Sequence, residues 1–305
     1  MACVKCFTFN QSTYIKETLD SFCMQNTTFP YVCCIFDDAS TDGEPAVISN
    51  YLQENFDLED NSVVRNEETD EYLLTFARHK NNINCFFAVL YLKYNHYSIK
   101  KAKNPYISEW QNNSRYIALC EGDDYWTDCL KLQKQFDYME LHPECSMCFH
   151  SNYRLYSDGK MVEHHPRRVK DYYDPRDVLL EGGGMLATSS VFFRSCFQLL
   201  DVDRPVFWKI SPFGDVPFRL YLSTKGLIGY IPETMSVYRK NANESWTRKT
   251  INVRSRISVA KSQQKTLNEF DKYTEFKYHK YVICGNLLNW MRCIKMILMI
   301  LKSKL

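Results

Sequence analysis

Residues 116–133 read YIALCEGDDYWTDCLKLQ. The apolar run Tyr116 to Cys120 has the composition of a buried strand and stops abruptly. Glu121, Asp123, Asp124 and Asp128 follow, with no base among them. Like charges this close repel, and an unpaired buried carboxylate is costly. A positive partner from outside the chain is implied, and a metal ion is the first choice. The segment DCLKLQKQFDYME that comes next has helical character, with Asp128 as its expected N-cap.

Working outward, strand-like and helix-like segments alternate. ACVKCFTF (2–9) reads as a strand, and NQSTYIKETLDSFCMQ as a helix with Ile15, Leu19, Phe22 and Cys23 on one face and Ser12 or Thr13 as cap. YVCCIF (31–36) is a second strand ending at DDASTDG, followed by a helix begun at Pro45. CFFAVLYLKY (85–94) and RYIALC (115–120) are the third and fourth strands. This order implies right-handed crossovers and a mostly parallel, Rossmann-like α/β sheet with flanking helices. Ligands of such sheets bind beyond the carboxyl ends of the strands, where Asn10, Asp37, Asp38, Asp123 and Asp124 fall.

The polar segment 57–84 reads as an inserted excursion, with a short helix expected over Glu71–Arg78. Farther on, a hairpin is expected to turn at Asp158-Gly159, a strand to run over 185–194, a helix over 215–226, and two short strands over LIGYIP and MSVYRKN. Residues 250–283 are helical and polar.

The chain has 305 residues, 45% hydrophobic and 24% charged, as expected of a soluble globular protein. A net charge of +2 gives no reason to expect nucleic acid as a partner. The start MACVKCFTFN shows no secretory pattern, so the 13 cysteines are expected to be reduced thiols in the cytosol. The pairs Cys3/Cys6 and Cys145/Cys148 lie in strand-like runs. Residues three apart on a strand face opposite ways, so buried thiols are expected there rather than a zinc site. No window of about 18 uncharged apolar residues exists, so no spanning helix is expected.

Four segments together resemble the family 2 glycosyltransferases of the GT-A fold, of the bacterial surface-polysaccharide type. FTFNQSTYIKETLDSF is similar to the family's first strand and helix, DDASTDG to its nucleotide-holding turn, and CEGDDYW to its acidic metal motif. FGDVPFRLYLSTKGLIGYIPETMSVYR is similar to the segment that begins with the catalytic base. The resemblance covers about residues 1–245 as the catalytic domain and leaves 246–305 as a helical extension. It implies inverting transfer from a nucleotide-sugar, a UDP-sugar by preference, to a hydroxyl of a glycan or lipid-linked acceptor, with Mg²⁺ or Mn²⁺ as cofactor. It further implies Asp124 as direct metal ligand, Asp123 against the donor ribose or sugar, Asp38 on the base edge, Thr8, Phe9 and Asn10 around the nucleotide, and Asp215 as general base. Lys100 is a candidate for the phosphates, and Trp126, Gly183 and Gly184 for the donor or acceptor sugar. Asn241 stands where many relatives carry a His.

Two rivals are weighed. A sugar-nucleotide pyrophosphorylase needs a Gly-rich basic loop after its first strand, and NQSTYIKETLDS has no glycine. A degenerate protein that only binds sugar or nucleotide is opposed by the intact acidic set. At the C-terminal end, Leu287, Met291, Ile294, Leu298 and Leu301 fall on one helical stripe flanked by Arg292, Lys295 and Lys302. Such a helix suits the inner-membrane surface, as a peripheral site on its cytoplasmic face; packing on its own domain or on a second subunit, as in a homodimer, is the alternative.

Overall fold

The structure, a computed structural model, describes residues 1–60, 63–182, 184–240 and 252–302. Strand β1 (Ala2–Thr8) is followed by α1 (Ile15–Cys23), β2 (Tyr31–Asp37) and α2 (Glu44–Asn55). Next come β3 (Phe56–Asp57), β4 (Arg65–Glu68), β5 (Tyr72–His79), β6 (Cys85–Leu92) and α3 (Ser108–Asn112). Then follow β7 (Tyr116–Glu121), β8 (Tyr125–Trp126), α4 (Lys131–Leu141), β9 (Cys145–Leu155), β10 (Met161–His164), β11 (Tyr172–Tyr173) and α5 (Pro175–Glu181). The chain continues through β12 (Phe192–Arg194), α6 (Val206–Lys209), α7 (Asp215–Ser223) and β13 (Leu227–Arg239). It closes with α8 (Val253–Tyr273) and α9 (His279–Lys302).

One mixed sheet runs β11-β13-β9-β12-β7-β1-β2-β6-β5-β3. The strands β7, β1, β2 and β6 are mutually parallel, as expected, and both faces of them are covered. Val4, Cys6, Cys33 and Ile35 pack on α1, α2 and α4, while Cys3, Val32, Cys34 and Phe36 belong to the core beneath α3, α5, α7 and α8. Burial on both faces explains why these strands read as continuous apolar runs. Lys5 is the lone charge in β1; its Nζ donates to Asn104 Oδ1 at 2.7 Å, and burial lowers its pKa to about 8.

Strand β12 runs antiparallel to both β7 and β9, so β9 is parallel to β7, and β13 is parallel to β9. The carboxyl ends of β1, β2, β7, β9 and β13 therefore share one edge. Helix α7 leads into β13, so its N-terminus lies at that same edge.

Several expectations change. Residues 72–79 form strand β5, not a helix: they pair antiparallel with β6, and Phe76 stacks on Trp110 with ring centres 5.7 Å apart. Only Phe192–Arg194 of the expected strand 185–194 joins the sheet, after a 3-10 turn at Thr188–Ser190. The two short strands after Gly226 are one strand, β13, with register shifts around Pro232. Ser12 and Thr13 do not cap α1, whose N-cap is Tyr14. Asp128 caps one turn ahead of α4, accepting from Leu130 N–H at 2.7 Å. The cysteine pairs are buried free thiols, and among the described residues no group of three metal-ligating side chains gathers. Cys3 and Cys6 lie in different cores, but Cys145 and Cys148 share one, because a bulge between them resets the alternation.

Helix α9 is apolar for its length. His279–Leu301 is long and apolar enough to cross a membrane by length and composition, with mean hydropathy 1.3.

Candidate active site

The first two turns at the carboxyl edge are locked together by one buried acid. Glu44, at the start of α2, accepts from Thr8 Oγ1, from Gln11 N–H at 2.9 Å and from Ser40 Oγ at 2.8 Å. Asn10 adopts φ 54°; its amide donates to Ser40 Oγ at 2.9 Å and its side chain accepts from Thr41 N–H at 2.8 Å. Burial raises Glu44, and raises neighbouring Asp37 to about 6. Thr8 and Asn10 are thus committed to shaping the turn, and Phe9 is half-buried beside them.

Asp38 is 2% exposed and its carboxylate is well supplied. Oδ1 accepts from His96 N–H at 2.7 Å; Oδ2 accepts from Tyr97 N–H at 3.1 Å and Lys103 Nζ at 2.6 Å. It fixes the loop after β6 against β2. Lys100, on that loop, is exposed with φ 55°, and Lys101 pairs with Glu71. The lysine that reaches the edge is Lys103, whose Nζ also lies 5.3 Å from the ring of Phe7. Phe7 stacks on Phe36 at 5.1 Å and leaves 36% of its surface open.

At the end of β7 the carboxylates divide by position. Glu121 opens to solvent yet is closely ringed by protein; that desolvation, then the Asp123 and Asp215 charges, pushes it up to about 7, and its open edge argues that water moderates the shift. Asp123 is half-buried and raised, chiefly by burial. Asp124 has no accessible surface: Oδ1 accepts from Arg239 N–H at 2.9 Å, and Oδ2 has no partner among the described residues. Burial, then Asp123 and Glu121, raise it far above the usual carboxylate range, which favours the neutral acid. Gly122 separates them because a Cβ there would stand 2.2 Å from Thr8 Oγ1.

One base does come from within the chain. Arg239, at the end of β13, lies between the rings of Tyr14 and Tyr125 at 4.9 and 4.7 Å, and donates to the Asp123 carbonyl and to Glu17. It satisfies a carbonyl and a distant acid, so among the described residues the Glu121 and Asp123 carboxyls have no direct cationic partner.

Asp215 opens α7 with its side chain 43% exposed, 3.3 Å from the buried guanidinium of Arg219. It lies near enough to Glu121 to help raise that carboxyl. Trp126, by contrast, is closed to any sugar: it is 1% exposed, donates to Ser189 O at 3.0 Å, and packs on Phe22 and beneath Lys131. Gly184 is exposed at φ 88°, its carbonyl accepting from Arg154 at 3.3 Å. Gly183 and Asn241 lie outside the described residues. Phe7, Gln11, Lys103, Arg219 and Arg239 were not singled out by sequence. All but Lys103 lie within the quoted motifs, so their segments, not the residues themselves, carried the signal.

Residues 6–72 match the pattern of the glycosyl transferase family 2. Over 242 residues the chain is 33% identical to the uncharacterized proteins Rv1520 of Mycobacterium tuberculosis and Mb1547 of Mycobacterium bovis, covering 78% of this chain. It spans 58% of the length of those relatives. Staphylococcus aureus TarS 1–349 in complex with UDP-GlcNAc has a similar structure, with TM-score 0.51 and 14% identity over 91% of this chain and 72% of that one. So does the mannosyltransferase PcManGT of Pyrobaculum calidifontis in complex with GDP-Man and Mn²⁺, with TM-score 0.50 and 11% identity over 95% and 86%. At such identities these two structures speak for the fold alone.

Proposed function

We propose that this chain, a family 2 glycosyltransferase of the GT-A fold by residues 6–72 and by architecture, moves a hexosyl group from a nucleotide-sugar to an acceptor hydroxyl with inversion. The observation that carries the reading is convergence: Asp38, Glu121, Asp123 and Asp215 reach one sheet edge from three separate elements, the ends of β2 and β7 and the start of α7. A UDP-sugar is the preferred donor, and a glycan or lipid-linked hydroxyl in cell-surface polysaccharide synthesis the acceptor. We set the reaction on the cytoplasmic face of the membrane.

The nucleoside lies over β1 and β2. Phe7 offers an open aromatic face there, and Asp38, with Lys103 against it, holds the loop that borders the base. The two cleft-facing carboxyls fit a hard divalent ion: burial raises both, neither has an ion-pair partner among the described residues, and Mg²⁺ or Mn²⁺ needs only one or two protein carboxylates when phosphates complete its shell. We assign direct contact to Asp123, with Glu121 beside it, rather than to Asp124, which has no surface to offer. Bound there, the ion would offset the charge that grows on the departing diphosphate.

Asp124 works from behind, fixing the end of β13 through Arg239 N–H. Asp215 takes the proton of the acceptor hydroxyl as it attacks, and Arg219 orients it. With one base and no side chain assigned as covalent nucleophile, the reaction is a single displacement.

Asp215→Asn tests the base. The rate of transfer should fall by about 10²–10⁴, the usual worth of a positioned base, while nucleotide affinity stays nearly unchanged. Transfer within a few-fold of the parent rate would remove Asp215 from the mechanism. Product NMR that shows a retained anomeric configuration would reject the single displacement.

A further inference from the structure

Helix α9 is asymmetric in a way that packing among the described residues does not account for. One face is fastened to the domain by polar contacts. Asn286 donates to Asn268 Oδ1 at 2.9 Å, Asn289 to Ala260 O at 2.8 Å, and Trp290 to Gln264 Oε1 at 3.2 Å. Arg292 donates to Leu180 O and Glu181 O at 3.2 and 3.0 Å, so it caps α5 next to the glycine loop. Val282 and Cys293 are buried on the same side.

The opposite face carries Ile283, Leu287, Met291, Ile294, Leu298 and Leu301, each 48–65% exposed. Their positions recur at three- and four-residue spacing over 19 residues, one continuous stripe. An unpartnered apolar strip of this length marks a contact with something else. Charge selects what. From His279 to Lys302 there is no Asp or Glu, while Lys280, Arg292, Lys295 and Lys302 are basic. Lys280 and Lys295 are exposed.

We propose that α9 docks the enzyme flat on an anionic lipid surface, its apolar stripe entering the headgroup boundary and its lysines meeting lipid phosphates. An apolar strip with basic flanks and no acid complements that surface. A second copy of the same helix would bring bases against bases. Spanning would require the helix to leave α8 and α5, stranding the asparagine and arginine contacts in hydrocarbon. The inference deepens the membrane placement proposed above, and its test involves neither donor nor acceptor.

Sedimentation of the full chain with phosphatidylcholine vesicles, with and without phosphatidylglycerol, tests it. The parent should bind the anionic vesicles, bind neutral ones far less, and be released by high salt. The triple variant L287S/M291S/L298S changes only exposed side chains, so its Tm should match the parent, and its vesicle affinity should fall about tenfold or more. K280Q/K295Q should weaken binding to anionic vesicles alone. Several results would overturn the proposal: no binding to anionic vesicles, equal binding by the triple variant, equal binding to neutral vesicles, or bound protein that high salt does not release. So would a parent dimer in sedimentation equilibrium that the triple variant dissolves, because the stripe would then be covered by a second copy.

Discussion

Glu121 and Asp124 show how position, not residue type, divides labour among adjacent acids. Both belong to one acidic run, but β7 ends at Glu121, and the turn after it carries Asp124 to the inside. Glu121 reaches the cleft with its pKa raised to about 7, whereas Asp124 turns inward to Arg239 N–H. For Glu121 the linkage sign is fixed by that rise. Above its unfolded value near 4.5, the unfolded chain loses the proton that the folded chain retains, so stability falls as pH rises through about 7. Glu121→Gln removes this cost. With EDTA present, its Tm should match the parent near pH 4 and exceed it near pH 8. Thermal scans of both proteins check this, and a difference that does not change with pH would contradict it. The two-way split was not legible beforehand. Spacing gave a cluster, but the inward side is set by the amide of Arg239, 115 residues away in sequence.

At the scale of elements, the first half of the chain was readable because its strands are buried on both faces and its helices keep apolar spacing. Strand β5 was misread for the opposite reason. YLLTFARH is half-exposed, and Leu73, Leu74 and Ala77 fit a helical stripe as well as an edge strand; pairing with β6 decides between them. Trp126 was visible as an aromatic beside the acids, but nothing local told that Phe22, Ser189 and Lys131 would enclose it. The contact between the β1 and β7 turns gives a further prediction. Gly122→Ala puts a methyl 2.2 Å from Thr8 Oγ1 and 2.5 Å from Thr8 Cβ, so Thr8 must move from Glu44. Overpacking of this kind costs about 1–3 kcal/mol. Urea denaturation should show that loss; unchanged stability would mean that the two turns part freely.

For the whole molecule, the fold brings residues far apart in sequence to one edge and leaves the C-terminal pair α8–α9 clamped against α5. The order of motifs along the chain was enough to recognise this architecture, while the partners that complete the site, Lys103, Arg219 and Arg239, depend on tertiary contact. The account stands on a nucleoside diphosphate binding at Asp123 through a divalent ion. Calorimetry of the full chain with UDP, in Mn²⁺ and again in EDTA, measures this directly, with GDP and dTDP as alternates. The account predicts binding that requires the ion, that Asp123→Asn weakens strongly, and that Asp124→Asn largely retains, since an Asn oxygen can still accept from Arg239 N–H. No binding of any of the three, or equal binding in EDTA, would contradict it.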